Sequence, residues 1–173
     1  MKTLLLLRHA KSSWDDPGVS DVDRPLTERG HRAAFRMGQV IAQRGLSPDL
    51  ILCSTARRAR ETCDGVASEL TSDPDLRFED QLYMADPATL LRLVQHLPDN
   101  AHGTLVIGHN PGLERFAARL TGVAAGDTLQ RMAVKFPTAA LAVFRFDVTR
   151  WRDVGLARGR LEDFVAPREV EPG

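Results

Sequence analysis

Leu4-Leu5-Leu6-Leu7-Arg8-His9-Ala10-Lys11-Ser12-Ser13 is the stretch on which the fold turns. A short unbroken apolar run bounded by charge reads as a strand buried on both faces, and such strands belong to parallel sheets covered by helices. The abrupt change from Leu7 to Arg8 and His9 marks the carboxyl end of that strand. In open α/β sheets ligands sit outside the carboxyl ends of the strands, so the pair at 8–9 stands where a functional site is expected.

Outward from it the chain alternates. Residues 11–26 are polar and hold Pro17, Gly18 and Pro25, which reads as a long loop. Thr27 is placed as a helix N-cap, and Ala33, Ala34, Met37, Val40 and Ile41 recur at helical spacing until Gly45 ends the run. Leu50 to Cys53 reads as a second buried strand, followed by a helix from about Arg57 to Leu70. A short strand at 76–78, a helix between Pro87 and Pro98, a strand from Thr104 to Ile107 and a helix through Leu120 come next. A loop is predicted for 122–138, a strand for Ala140 to Phe146, and short strands for Trp151 to Val154 and Leu161 to Val165. Strands alternating with helices predict an α/β fold with helices on both faces of the sheet. No repeat or low-complexity linker divides the chain, so residues 1–173 are expected to form a single domain. The end of the 147–173 tail, with Pro167 and Pro172, is expected to be partly disordered.

Composition narrows the function classes. Hydrophobic residues make up 43% and charged residues 27% of 173, as in an ordinary soluble globular protein. Lys+Arg and Asp+Glu are both 23, so the basic excess of a non-specific nucleic-acid or membrane-surface binder is missing, although local arginine clusters can still bind an anion. The apolar run before Arg8 is too short for a secretory signal core, and no stretch approaches the roughly 18 apolar residues of a membrane span. Cys53 and Cys63 match no usual metal-site spacing and are too few for a disulfide framework. A reduced, cytoplasmic compartment is expected.

Three loops leave the carboxyl ends of predicted strands, and each carries basic residues. The first begins Arg8-His9-Ala10-Lys11-Ser12-Ser13, the second is Ser54-Thr55-Ala56-Arg57-Arg58-Ala59-Arg60-Glu61-Thr62, and the third is Gly108-His109-Asn110-Pro111-Gly112. Together they place two histidines, several arginines and helix N-terminal amides around one cavity. A tetrahedral dianion suits such a site, because guanidinium forks match phosphate oxygens and helix N-termini attract negative charge. A neutral imidazole can attack phosphorus in line while fixed cations hold the equatorial oxygens, and arginines can supply that charge without a metal. Taken singly, each loop has a plainer reading. The Arg-His pair fits a surface salt-bridge donor beside a loop histidine, residues 57–60 fit a solvated helix face, and Gly-His-Asn-Pro-Gly fits an ordinary turn. It is the coincidence at three strand ends that points to a shared site.

The segments LLLRHAKSSWDD, DVDRPLTERG, PDLILCSTARRARET, LYMA, VIGHNPGLE and KFPTAALAVF, in this order, resemble the histidine phosphatase superfamily, and within it the SixA-type phosphohistidine phosphatases. The resemblance runs to about residue 146. It implies a phosphoglycerate mutase-like three-layer sandwich with a mostly parallel central sheet and helices on both faces. It also implies a phosphatase with no metal and no cofactor. His9 matches the phosphorylated nucleophile and Arg8 the phosphate-clamping arginine beside it. Ser54 and Thr62 fix the register that makes Arg58, and neither Arg57 nor Arg60, the second clamp. His109 matches the second pocket histidine, which stabilises the transferring group, and Ser12 stands where a hydroxyl often lies near the phosphate.

Three departures qualify the match. Ala10 replaces a glycine, which is tolerable only where the backbone has no need of positive φ. Asp15 stands where mutase-like members have a phosphate-contacting asparagine and is not counted as a ligand. The helical insertion that recognises sugar phosphates in those members is absent, so an open site and a bulky substrate are expected. Superfamily members acting on phosphate esters generally use a mid-chain carboxylic acid. Glu79, Asp80 and Asp86 are the candidates, with no motif selecting one. A phosphohistidine substrate relaxes that need, because its P–N bond leaves easily once the imidazole is protonated.

His31, His96 and His102 are read as surface or helix-end histidines, and Trp14 and Tyr83 as packing residues. Asp21 and Arg24 are expected to brace the loop over the site, or Arg24 to touch substrate. The leading function is dephosphorylation of protein phosphohistidine, with a phosphohistidine-bearing protein as partner and phosphate or sulfate expected to fit the site. A phosphatase of a small phosphate ester or nucleotide is the enzymatic alternative, and a phosphate-binding module the non-enzymatic one; no nucleic-acid or membrane partner is expected.

Overall fold

A computed structural model describes residues 1–170; residues 171–173 lie outside the described residues. The leucine run forms β1 (Lys2–Arg8), in which Leu4, Leu5, Leu6 and Leu7 are all fully buried. The other strands are β2 (Leu50–Ser54), β3 (Asp75–Glu79), β4 (Gly103–Gly108), β5 (Thr121–Ala124), β6 (Leu141–Phe146) and β7 (Gly159–Val165). They make one sheet in the order β3-β2-β4-β1-β6-β7-β5. Pairings β1–β4, β2–β4, β2–β3 and β5–β7 are parallel, and β6 runs antiparallel to both of its neighbours.

Side chains along a strand alternate between faces, and β1 feeds two cores. Leu5 and Leu7 face a layer built by α1 (Glu28–Gln43) and α2 (Arg57–Ala67), with Met37, Ile41 and Val66 in contact range. Leu4 and Leu6 face the opposite layer of α3 (Pro87–Gln95), α4 (Gly112–Leu120) and α5 (Thr128–Val134), which contributes Leu90, Leu113, Phe116 and Met132. The expected three-layer, mostly parallel phosphoglycerate mutase-like architecture is what the chain adopts. Each fully buried leucine is worth about 1.5–3 kcal/mol over an exposed one, so the strand preceding Arg8 and His9 is among the most firmly held parts of the molecule.

Three sequence expectations need correction. The segment 122–138 is no simple loop: it holds β5 and α5. Trp151 to Val154 is no strand but a 3-10 turn, Trp151–Asp153, because the Trp151 indole is buried and its N–H reaches the Ala101 carbonyl at 2.8 Å. The second helix stops at Ala67 rather than Leu70. Pro167 opens a short helix, α6 (Pro167–Val170), and the disorder expected at the chain end falls on residues outside those described.

Candidate active site

β1 and β4 are parallel neighbours in register, with Arg8 opposite Gly108. Their ends therefore set His9 beside His109, and the two rings lie 5.2 Å apart between centroids. Arg58 lies in the first turn of α2, which starts just after β2. One cavity of about 300 Å³ is lined by Arg8, His9, Ser12, Arg58 and His109, together with Lys11, Trp14, Asp21, Arg24, Met84, Asn110 and Thr138. All five residues singled out from the sequence thus meet at one place. Glu79, Asp80 and Asp86 do not line it: Glu79 accepts from the Gln81 amide, Asp80 begins a 3-10 turn, and Asp86 caps α3 by accepting from the Thr89 amide.

His9 is 6% exposed, and its Nδ1 lies 2.7 Å from the Ala10 carbonyl oxygen. A carbonyl only accepts, so Nδ1 carries the proton and Nε2 keeps its lone pair. Burial pushes the His9 pKa down to about 4, opposed by the Ala10 carbonyl bond and helped by the cations of Arg58, Arg8 and Arg24. His9 is therefore neutral at pH 7.

His109 has a second arrangement. Its Nε2 is 2.7 Å from the fully buried Ser54 hydroxyl, which already accepts the Ala56 amide at 3.3 Å. The hydroxyl hydrogen needs an acceptor, and Nε2 is the acceptor in reach, which leaves the ring proton of His109 on Nδ1. Burial, then the proximity of His9 and Arg58, takes the His109 pKa down to about 3.

Among the described residues, four buried side-chain polar atoms have no hydrogen-bond partner: Arg8 Nε, Arg58 Nε, His109 Nδ1 and Thr104 Oγ1. Three of the four are donors on residues that line the cavity with His9. Buried donors are ordinarily paired, so a group rich in acceptor oxygens is the chemical complement of this pocket.

The frame around these groups is tied by a few long-range bonds. Thr62 Oγ1 accepts the Ala10 amide at 2.9 Å and donates to the Arg58 carbonyl at 2.7 Å, joining the first loop to α2. The Phe136 carbonyl accepts from Arg8 Nη1 at 3.1 Å and from Asn110 Nδ2 at 2.9 Å. Non-glycine residues with positive φ among those described are Met84, Ala139 and Ala157, so position 10 makes no demand for glycine.

Four contributors were read differently in the sequence, or left open. The Asp21 carboxylate accepts from Arg58 Nη2 at 3.1 Å and Arg24 Nε at 3.1 Å, and from the Tyr83 hydroxyl. Tyr83, then Arg58 and Arg24, hold its pKa down to about 2. Arg24 is buried and donates to the Ser12 hydroxyl at 2.7 Å, so it braces the loop and lines the cavity as well. Tyr83 meets the His109 ring edge-on at 5.4 Å rather than filling a core. Trp14, expected to be a packing residue, is 72% exposed at the rim, with the Arg24 guanidinium 3.5 Å over its ring. The DVDR spacing hinted at Asp21 and Arg24; nothing local marked Tyr83, whose partners His109 and Asp21 come from distant segments, or Trp14, which meets Arg24 of its own loop.

This fold and this anion-complementary cavity define a known class. The family model for the histidine phosphatase superfamily, branch 1, matches residues 4–82. An uncharacterized protein of Mycobacterium tuberculosis, Rv1276c, is 36% identical over 94% of this chain and 100% of its own. The chain belongs to the histidine phosphatase superfamily. Within it, the chain is similar to SixA-type proteins. A proposed phosphohistidine phosphatase SixA from Agrobacterium tumefaciens is 34% identical, with a TM-score of 0.78 over 96% of this chain and 99% of that one. A second from Nakamurella multipartitia superposes with a TM-score of 0.82 at 29% identity, over 96% of each chain.

Proposed function

We propose that this protein is a phosphatase that carries the phosphoryl group on His9 and removes it from protein phosphohistidine. The observation that carries the reading is that Arg8, Arg58 and His109, three residues lining the cavity that holds a neutral His9, each keep a buried donor without a partner among the described residues: Nε, Nε and Nδ1. In the first step the Nε2 lone pair of His9 attacks phosphorus as the bond to the leaving nitrogen breaks. The phosphorylated ring becomes cationic, and its Nδ1–H keeps its bond to the Ala10 carbonyl, a favourable partner for that charge. Water then attacks phosphorus, the P–Nε2 bond breaks, and phosphate leaves with His9 neutral again. Arg8 and Arg58 hold the equatorial oxygens, His109 donates from Nδ1, and Ser12 adds a hydroxyl at the wall.

The substrate class follows from the acid inventory. Among the described residues Asp21 is the one carboxylate lining the cavity, and with a pKa near 2 it stays ionised on its arginines. An alkyl phosphate needs a proton donor for its departing oxygen, whereas an imidazole protonated at its other nitrogen leaves a phosphoramidate unaided. Cytoplasmic signalling proteins that carry phosphohistidine are the partners we infer, with residues 1–173 acting as one domain; no helix among the described residues is long and apolar enough to cross a membrane. A phosphatase of small esters or nucleotides is the competing enzyme.

The test compares kcat/KM on a phosphohistidine protein with that on p-nitrophenyl phosphate. A large preference for the P–N substrate is expected, and a large preference for the ester overturns the choice of substrate. Acid-quenched enzyme after incubation with labelled phosphodonor should hold acid-labile phosphate that His9→Ala lacks. Absence of label in the wild type would instead favour a phosphate-binding module.

A further inference from the structure

The site cavity does not end at its rim. Lys11 and Thr138 line both that cavity and an adjoining depression of about 560 Å³. That depression shares Arg29, Ala33 and Pro167 with another of about 750 Å³ along α1. The whole is a trough that starts two residues from His9 and runs beside α1 and α6.

The trough is strongly cationic in a chain whose charges sum to zero. Lys11, Arg29, Arg32, Arg36, Lys135 and Arg168 line it, and none is in an ion pair among the described residues. Among the described residues Arg36 bonds to neutral groups, the Val170 carbonyl and the Gln39 side chain. Among the described residues the one carboxylate on the trough's walls is Glu169, and it is held by Arg131 at 2.9 Å. Arg29, Arg32 and Arg36 recur at helical spacing on one face of α1, a stripe about 10 Å long at ~1.5 Å per residue. Two exposed apolar side chains interrupt the charge: Val134, 86% exposed, and Phe35, 44% exposed.

We propose that this trough docks an acidic stretch of the phosphorylated protein next to its phosphohistidine; the proposal rests on the functional reading above. A segment lying in it is continuous with a phosphoryl group seated over His9, and on that reading the material attached to the phosphoryl group is polypeptide. Unpaired arginines and lysines in a groove attract carboxylates and speed encounter, while Val134 and Phe35 suit an amphipathic segment better than a nucleic-acid backbone. The trough selects which phosphoproteins reach the cavity; the cavity itself handles only the phosphoryl group.

The test uses two synthetic peptides carrying one phosphohistidine each, flanked by Asp and Glu in one and by Lys and Ser in the other, with free phosphohistidine as the small substrate. The wild type should favour the acidic peptide by about tenfold or more in kcat/KM, chiefly through KM, and lose the preference in high salt. The variant Arg29→Glu/Arg32→Glu/Arg168→Glu, altered only at exposed positions outside the cavity, should lose the preference and keep its turnover of free phosphohistidine. Equal rates on both peptides, or a preference that survives in the variant, overturn the docking surface while leaving the functional reading intact. Tighter binding of the wild type to a single-stranded oligonucleotide or an anionic vesicle than to the acidic peptide overturns it in favour of those partners. Turnover of p-nitrophenyl phosphate with none of any phosphohistidine substrate overturns the functional reading, and the docking proposal with it.

Discussion

At the residue scale, the behaviour of the site turns on two imidazoles that burial keeps neutral, His9 with a pKa near 4 and His109 near 3. In the unfolded chain both titrate near 6.5. Between those values the unfolded state binds more protons, so their contribution to stability is complete above about pH 6.5 and falls as pH drops toward 4 and 3. Denaturant unfolding at pH 7.5 and 5.0 should show a loss of about 2 kcal/mol or more, and His109→Asn should shrink that loss. Turnover limited by the His9 lone pair should stay level down to about pH 5 and fall through about pH 4. Ser54→Ala removes the hydroxyl that keeps the His109 proton on Nδ1; kcat should drop by about tenfold or more, with the fold retained by circular dichroism. Arg8, His9 and His109 were legible in the sequence at or just after the ends of buried strands, and Arg58 through the register that the resemblance sets between Ser54 and Thr62. Asp21 and Tyr83 acquire their roles from a meeting of segments 62 residues apart, and no local pattern encodes that meeting.

Between elements, the joints are few and specific. Thr62 ties the first loop to α2 through one hydroxyl that both accepts and donates. Thr62→Val keeps the shape and strands the buried Ala10 amide, a cost of about 1–3 kcal/mol, readable as a lowered denaturation midpoint together with a raised KM as Arg58 and His9 lose their common anchor. Gly112 opens α4 against the Ala85 carbonyl, where an added Cβ would lie 1.7 Å from that oxygen. Gly112→Ala must displace α4 or the segment before α3, and thermal unfolding should show it as a large destabilisation. Long amphipathic helices and continuous apolar strands were readable from spacing. β5 and α5 were not, being four and seven residues long, with β5 open to solvent along most of its length. At Trp151, where a short strand is expected, the indole N–H and backbone amide, bound to Ala101 and Asp99, select a turn instead.

For the molecule as a whole, the cavity predicts a link between anion binding and global stability. Inorganic phosphate at about a hundred times its dissociation constant adds ~2.7 kcal/mol to unfolding, which for a domain of this size raises Tm by roughly 5–10 °C. Arg58→Ala should abolish that rise, and a rise unaltered in the variant would place the anion elsewhere. The two imidazoles hang from β1 and β4, adjacent strands in the middle of seven, while β3 and β5 close the sheet at its margins. Descent with modification can therefore lengthen, trim or recharge the periphery and change which molecules gain entry, without shifting the atoms that make and break bonds at the centre.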